Sequence, residues 1–340
     1  MKKRETNQNG LILLATIILF STNIIASFAQ NYTQPLKVND SNVQNALSFY
    51  EKKDFKQAES LLRDLIAKNE NNADAHYALA IVLPNMNKLE DAIDENSKAI
   101  ELNSNVAEYH YTLARLYIMK VSTVNIFSKM SLSSSIKEEL LATLKINPNH
   151  RLGIINLAGF YFQAPSIAGG DNDKALELAN KLLKIDEKQA RILLVQIYSA
   201  MDNKVKAEEE VNNLIKIDEY AGRYLMIQGL KKQGNLAKAE EQYRIIDTKF
   251  GNNPDYFAFY NDYGYFLLGQ KRVDEAIEKF KKQVQLAPNS ANAHDSLGEG
   301  LLVKKMLKES LAEYTKALEL SPGLKSAKDK IEEIKGMMGQ

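Results

Sequence analysis

Pro288 and Pro322 stand 34 residues apart, and so do the dipeptides Tyr263-Gly264 and Leu297-Gly298. The same interval carries Ala276 to Ser310, Phe280 to Tyr314 and Gln283 to Ala317. A fixed period of this length marks an array in which no unit buries its apolar face alone and each depends on its neighbours. Carried backward, the register places eight units, beginning near Asn39, Ala73, Ala107, Arg151, Lys188, Tyr220, Phe257 and Ala291. A first small position falls at Ala46, Ala80, Ala114, Ala158, Gly264 and Gly298, and a second at Ala58, Ala92, Ala175, Ala207, Ala239, Ala276 and Ser310. Where two helices cross closely, only a small side chain fits between their backbones. Val195 and Ile227 at the first position and Ile136 at the second are larger than the pattern wants.

This pattern of a large apolar, a small and an aromatic residue in one helix, followed by Ala, Phe or Tyr, and Ala in the next with a terminal Pro, resembles the tetratricopeptide repeat. The resemblance implies an all-α fold, a right-handed α-solenoid of about eight helix pairs over residues 39–324. Residues 325–340 would follow as a capping helix and tail, with Leu324, Ala327, Ile331 and Ile334 on the covered side. Pro148, Pro254, Pro288 and Pro322 sit at unit boundaries and Pro84 near a helix end, where the missing N–H does no harm.

Two units are longer than the period. The third carries about ten extra residues around Val121 to Ser135, within 121–135, and the fourth about five within 163–170, QAPSIAGG. Together these resemble a subgroup of bacterial secreted tetratricopeptide proteins with an FSKM-like segment and an APxIxGG loop. Two glycines before a helix suggest an anion cradle. Against it, Asp171 and Asp173 would repel the anion, and Asp171 is well placed to cap the helix itself. Both insertions lie at the turns within adjacent hairpins, so Ile126, Phe127, Met130 and Ile167 are expected to pack as a local mini-core, with a docking ridge as the alternative.

The chain has no cysteine, which excludes disulfides, thiolate chemistry and cysteine-held zinc. A formal charge of +1 gives no clustered basic excess of the kind nucleic-acid binders show. His76, His110 and His294 occupy one shared position of their units, with Tyr260 as a counterpart, and are expected to pack against the neighbouring pair rather than converge on a metal. The runs Glu138-Glu139, Glu208-Glu209-Glu210 and Glu240-Glu241 read as solvated helix faces. No GxSxG, HExxH or GxGxxG is present, so no enzyme activity and no cofactor are expected.

Recognition is the remaining task. In the family, the first helix of each pair lines a concave surface, and its register here yields Tyr77, Tyr111, Arg115, Asn156, Gln196 and Tyr224. Toward the C-terminus it continues through Gln228, Asn261, Asp262, Tyr265, Asp295 and Glu299, an end expected to be acidic. Such side chains suit a protein or peptide partner. Arg115 and Asn156 are the only near match to a carboxylate clamp. The rival reading is a small-ligand or enzymatic pocket near the two central insertions.

The N-terminus reads as a secretory signal. Lys2, Lys3 and Arg4 precede the apolar run Leu11 to Phe20, and Ser27 and Ala29 stand at the −3 and −1 positions before Gln30. Residues 1–29 are therefore expected to be removed and 30–38 to form a linker, which leaves a periplasmic or secreted scaffold of the bacterial envelope. An uncleaved membrane anchor is the competing reading.

Overall fold

The turn within most hairpins is built on one residue in the left-handed region. Lys53, Asn87, Asp202, Lys271 and Lys305 adopt φ between 54° and 63°, and Gly234 adopts φ 74°. At each lysine the pattern is the same. Lys305 N–H bonds Leu302 C=O at 2.8 Å and Met306 N–H bonds Leu301 C=O at 2.9 Å, closing the first helix with paired bonds that satisfy its last carbonyls. Side-chain caps open many of the helices that follow: Asp54, Asn72, Asp186, Asp218 and Ser290 each accept from a backbone N–H three residues on.

The computed structural model describes residues 38 and 40–339. The signal segment 1–29 and nearly all of the linker 30–38 lie outside these. Among the described residues there are seventeen α-helices and no strand, an α-solenoid architecture. No described helix is long and apolar enough to cross a membrane.

The chain divides into two compact units, one ending at Ile217 and one beginning at Asp218. The first holds five hairpins. They are α1 Ser41–Glu51 with α2 Phe55–Lys68, α3 Ala73–Val82 with α4 Leu89–Leu102, α5 Ala107–Val121 with α6 Ile126–Ile146, α7 Arg151–Gln163 with α8 Asn172–Leu182, and α9 Glu187–Ala200 with α10 Lys204–Ile217. The second holds three hairpins and a last helix. They are α11 Glu219–Lys232 with α12 Leu236–Phe250, α13 Phe257–Gly269 with α14 Val273–Leu286, α15 Ala291–Val303 with α16 Leu307–Leu320, and α17 Lys325–Met338.

The small positions are the close-contact points. Ala46, Ala80, Ala114 and Ala158 are fully buried, as are Ala58, Ala92, Ala175, Ala239 and Ala276. Gly264 faces Phe280 so tightly that an added Cβ would lie 2.3 Å from the ring. Ser310 is buried because its hydroxyl donates to Gly298 C=O at 2.7 Å. The oversized Ile136, Val195 and Ile227 are buried too, so those hairpins accommodate the extra volume. On α17, Ala327 and Ile334 are buried against Tyr314 and Ala317 of α16, while its other side carries charge.

The histidine position departs from expectation. Each histidine turns to its own hairpin, not to the neighbouring one. His76 Nδ1 lies 2.6 Å from Glu95 and its Nε2 3.0 Å from Glu70 C=O. His110 repeats this with Glu139 and Ser104 C=O, and His294 with Glu313 and Pro288 C=O. Arg191 reaches Glu210 from the same position at 2.7 Å. Glu139, Glu210 and Glu240, which pairs with Arg272, are thus partly buried anchors, whereas Glu138, Glu208, Glu209 and Glu241 are solvated as expected.

The insertions replace the standard turn in the third and fourth hairpins. The first extends α6 to 21 residues. The second folds as a 3-10 turn, Ser166–Ala168, closed by Gly169 at φ 91°. Gly170 is obligatory, because a Cβ there would lie 1.8 Å from Ala164 C=O. Helix α6 adjoins this turn, with Lys137, just past the first insertion, beside Gly169. Of the four residues expected to pack there, Met130 and Ile167 are instead 54% and 76% exposed, and the side chains of Ile126 and Phe127 lie outside the described residues.

Gly264→Ala is expected to destabilise by about 1–3 kcal/mol through overpacking against Phe280, more than the helix-propensity gain returns. Gly229→Ala, whose Cβ meets nothing within 4 Å, is expected to stabilise by about 0.5–1 kcal/mol. Thermal denaturation of the two variants checks the contrast.

Candidate functional site: the inner face of the first helices

The polar lining proposed from the sequence is in large part bonded to itself. In the first unit, the Tyr109 hydroxyl of α5 donates to Asp74 of α3 at 2.6 Å, and Asn156 Nδ2 of α7 donates to the Tyr111 hydroxyl of α5 at 3.0 Å. Arg151 at the start of α7 reaches Asp186, the cap of α9, at 2.8 Å. In the second unit, Gln228 of α11 donates to Asp262 of α13 at 3.1 Å. The Tyr265 hydroxyl of α13 donates to Glu299 of α15 at 2.6 Å, and Ser296 Oγ donates to Asn261 at 2.6 Å. Ser326 Oγ of α17 donates to Asp295 at 3.2 Å. Within each unit these bonds tie consecutive first helices together.

The structure therefore sorts the twelve candidates. Tyr77, Tyr111 and Asn156 are buried, with the Tyr77 ring 4.7 Å from Tyr109 and the Tyr111 ring 4.8 Å from His150. Arg115, Tyr224, Gln228, Asn261, Asp262, Tyr265, Asp295 and Glu299 are half-buried, and Gln196 is exposed. Asn156, the amide half of the near match with Arg115, is buried and donates to the Tyr111 hydroxyl.

The acidic C-terminal end is only partly acidic. Asp262 accepts from Lys231 Nζ at 2.8 Å and from the Tyr243 hydroxyl at 2.5 Å. Lys231 and Tyr243 were not among the candidates. Asp295 and Glu299 have hydroxyl partners instead, and burial raises the Asp295 carboxyl above its ordinary value. The interval that revealed the array also links Gln228 to Asp262 and Tyr265 to Glu299, each 34 apart, but Lys231 and Tyr243 stand 31 and 19 residues from Asp262 and fall outside it.

The anion reading of the QAPSIAGG loop fails on geometry. Asp171 Oδ1 accepts from the backbone N–H groups of Asp173 and Lys174, both at 3.1 Å, so the chain's own carboxylate fills the helix N-terminus. Among the described residues no group of three or more His, Asp or Glu could hold a metal ion.

Residues 49–116 and 224–291 each match a tetratricopeptide-repeat family model. Among solved structures, yeast Tom70 is 16% identical, with a TM-score of 0.65 over 99% of this chain and 73% of that one. A tetratricopeptide protein from Parabacteroides merdae is 15% identical, with a TM-score of 0.47 over 86% and 96%. PilF of Pseudomonas aeruginosa is 17% identical, with a TM-score of 0.47 over 65% and 95%. No curated protein matches the chain. At these identities the likeness to Tom70 speaks for the fold alone.

The tyrosine network sets an alkaline limit. Burial, with Tyr256 beside it, pushes Tyr220 up to about 12. Burial and then Asp262 raise Tyr224 and Tyr243, and burial and then Glu299 raise Tyr265. A phenol whose folded value lies above its unfolded value of about 10 contributes stability that is fully present below pH 10 and lost as pH rises through the folded value. Urea midpoints are therefore expected to be lower at pH 11 than at pH 9. A Tyr243→Phe variant should show a smaller fall.

Proposed function

Since the chain belongs to the tetratricopeptide-repeat family, we propose that it is a non-catalytic scaffold that holds a protein or peptide partner on the inner face of its first helices, acting in the bacterial envelope after export. The observation that carries this reading is the set of bonds between consecutive first helices. Within each unit they hold tyrosine, amide and carboxylate groups in fixed positions along the first helices, which lowers the ordering cost of recognition. An extended chain carries unpaired N–H and C=O groups at short intervals, and Asn261, Gln228 and Glu299 offer matching donors and acceptors. Tyr224 and Tyr265 add contact area with a polar end. The signal-like N-terminus supports the export half of the proposal.

Affinity capture from an envelope extract is expected to recover a protein with the wild type that is lost with Asp295→Ala/Glu299→Ala or Arg115→Ala/Gln196→Ala. Recovery of nothing above background, or equal recovery by the variants, counts against the reading. N-terminal sequencing of the native protein is expected to begin at Gln30; a start at Met1 overturns the export of a cleaved form.

A further inference from the structure

A second surface lies on the other side of α15. Between α14 and α16 runs an open cleft of about 530 Å³, within the range that small ligands and peptide side chains occupy. Its floor is apolar: Ile277 of α14, Leu297 and Leu301 of α15, and Met306 in the turn before α16. Leu297 and Leu301 lie one helical turn apart and face the cleft, whereas Ser296 and Glu299 of the same helix bond to α13 on the inner face.

The rim is acidic in a chain that is nearly neutral. Five carboxylates, those of Asp274, Glu275, Glu278, Glu309 and Glu313, stand against two ammonium groups, Lys281 and Lys304. Both lysines already serve rim carboxylates: Lys304 bonds Asp274 at 2.6 Å and Lys281 bonds Glu278 at 2.9 Å. Glu313 lies 2.6 Å from His294, and Glu275 pairs with Arg272, which Glu240 shares. Glu309 is exposed. Asp274 and Glu278 are 79% and 69% exposed, and ion pairs so open to water contribute little. An incoming guanidinium, with its planar fork of donors, can therefore displace a rim lysine at small cost and bind the carboxylate in two-point fashion.

We infer that this cleft is a docking site for an arginine-rich peptide segment that carries one aliphatic side chain. The aliphatic group would enter over Leu297 and Leu301, and flanking arginines would meet Glu278 on one wall and Glu309 on the other. The site is independent of the inner-face reading, because its walls are second helices and its floor is the opposite side of α15.

The test is fluorescence anisotropy at low ionic strength with a labelled Arg-Arg-Leu-Arg-Arg peptide and the full chain. The wild type is expected to bind it, and Glu278→Lys/Glu309→Lys, two exposed sites with no role in the core, to bind at least about tenfold more weakly with an unchanged melting temperature. A probe with serine in place of leucine is expected to bind several-fold more weakly to the wild type. The inner-face variant Asn261→Ala/Tyr265→Phe should bind the original probe as the wild type does. No binding by the wild type, equal binding by the charge-reversed variant, equal binding of the serine probe, or loss of binding in the inner-face variant would each overturn the assignment.

Discussion

Two helices of a hairpin can approach closely only where the side chain between them is almost absent, and the rest of this structure depends on that contact. Gly264 lets the Phe280 ring lie where a Cβ would otherwise stand. Gly300 gives the opposite edge of the same ring its space, with Phe280 Cδ2 3.0 Å from where its Cβ would be. The aromatic at this position of α14 is thus held between the first helices of two successive hairpins. It is fully buried, as is Tyr243 of α12, and Tyr314 of α16 is nearly so. Interiors packed to this density tolerate little change in volume, which is why alanine, glycine or serine recurs there at the repeat interval.

Once the helices are that close, polar side chains on the first helices come within bonding reach of the next hairpin. The bonds from Gln228 to Asp262, Tyr265 to Glu299 and Ser326 to Asp295 follow from the stacking distance. They settle an apparent tension: a face this rich in tyrosine and carboxylate would be costly to desolvate unless its groups were satisfied. Asn96 of α4, Thr112 of α5 and Gln283 of α14 each keep a buried side-chain oxygen that has no partner among the described residues.

The clasp from the fourth position of the first helix to the second helix shows a different use of the same geometry. His76, His110, His294 and Arg191 each carry a cation-capable group to a glutamate of their own hairpin. In the fourth hairpin this position is Ile154, fully buried in an apolar core, and in the seventh it is Tyr260, which donates to Asp247 at 2.6 Å. The position is therefore met in three ways: a polar side chain spans its own hairpin, an aliphatic one fills the core, and Tyr260 reaches back to α12 of the preceding hairpin.

The helical hairpins were legible because their cause is local. Alanine and glycine at a fixed interval, prolines at ends and Asp171 before a helix act over a few residues, and each is visible in order along the chain. In the long turn only Gly169 needs the positive φ that a glycine pair suggests; Gly170 is required because a Cβ would strike Ala164 C=O, a contact that spacing does not reveal. The partners of the polar groups were not. A histidine at one position is compatible with packing against either neighbour, and only the distance to Glu95 or Glu313 decides which. Asp262 reads as a free carboxylate until α11 and α12 bring Lys231 and Tyr243 to it, and Met130 and Ile167 read as core until the turn leaves them in water. Sequence by itself determined the repeat, its register and the points of closest approach, because steric exclusion depends on residue size alone. Tertiary structure decided which charges are neutralised and which polar groups are bonded to one another, because a polar atom's partner depends on separations between stacked helices that spacing along the chain does not encode.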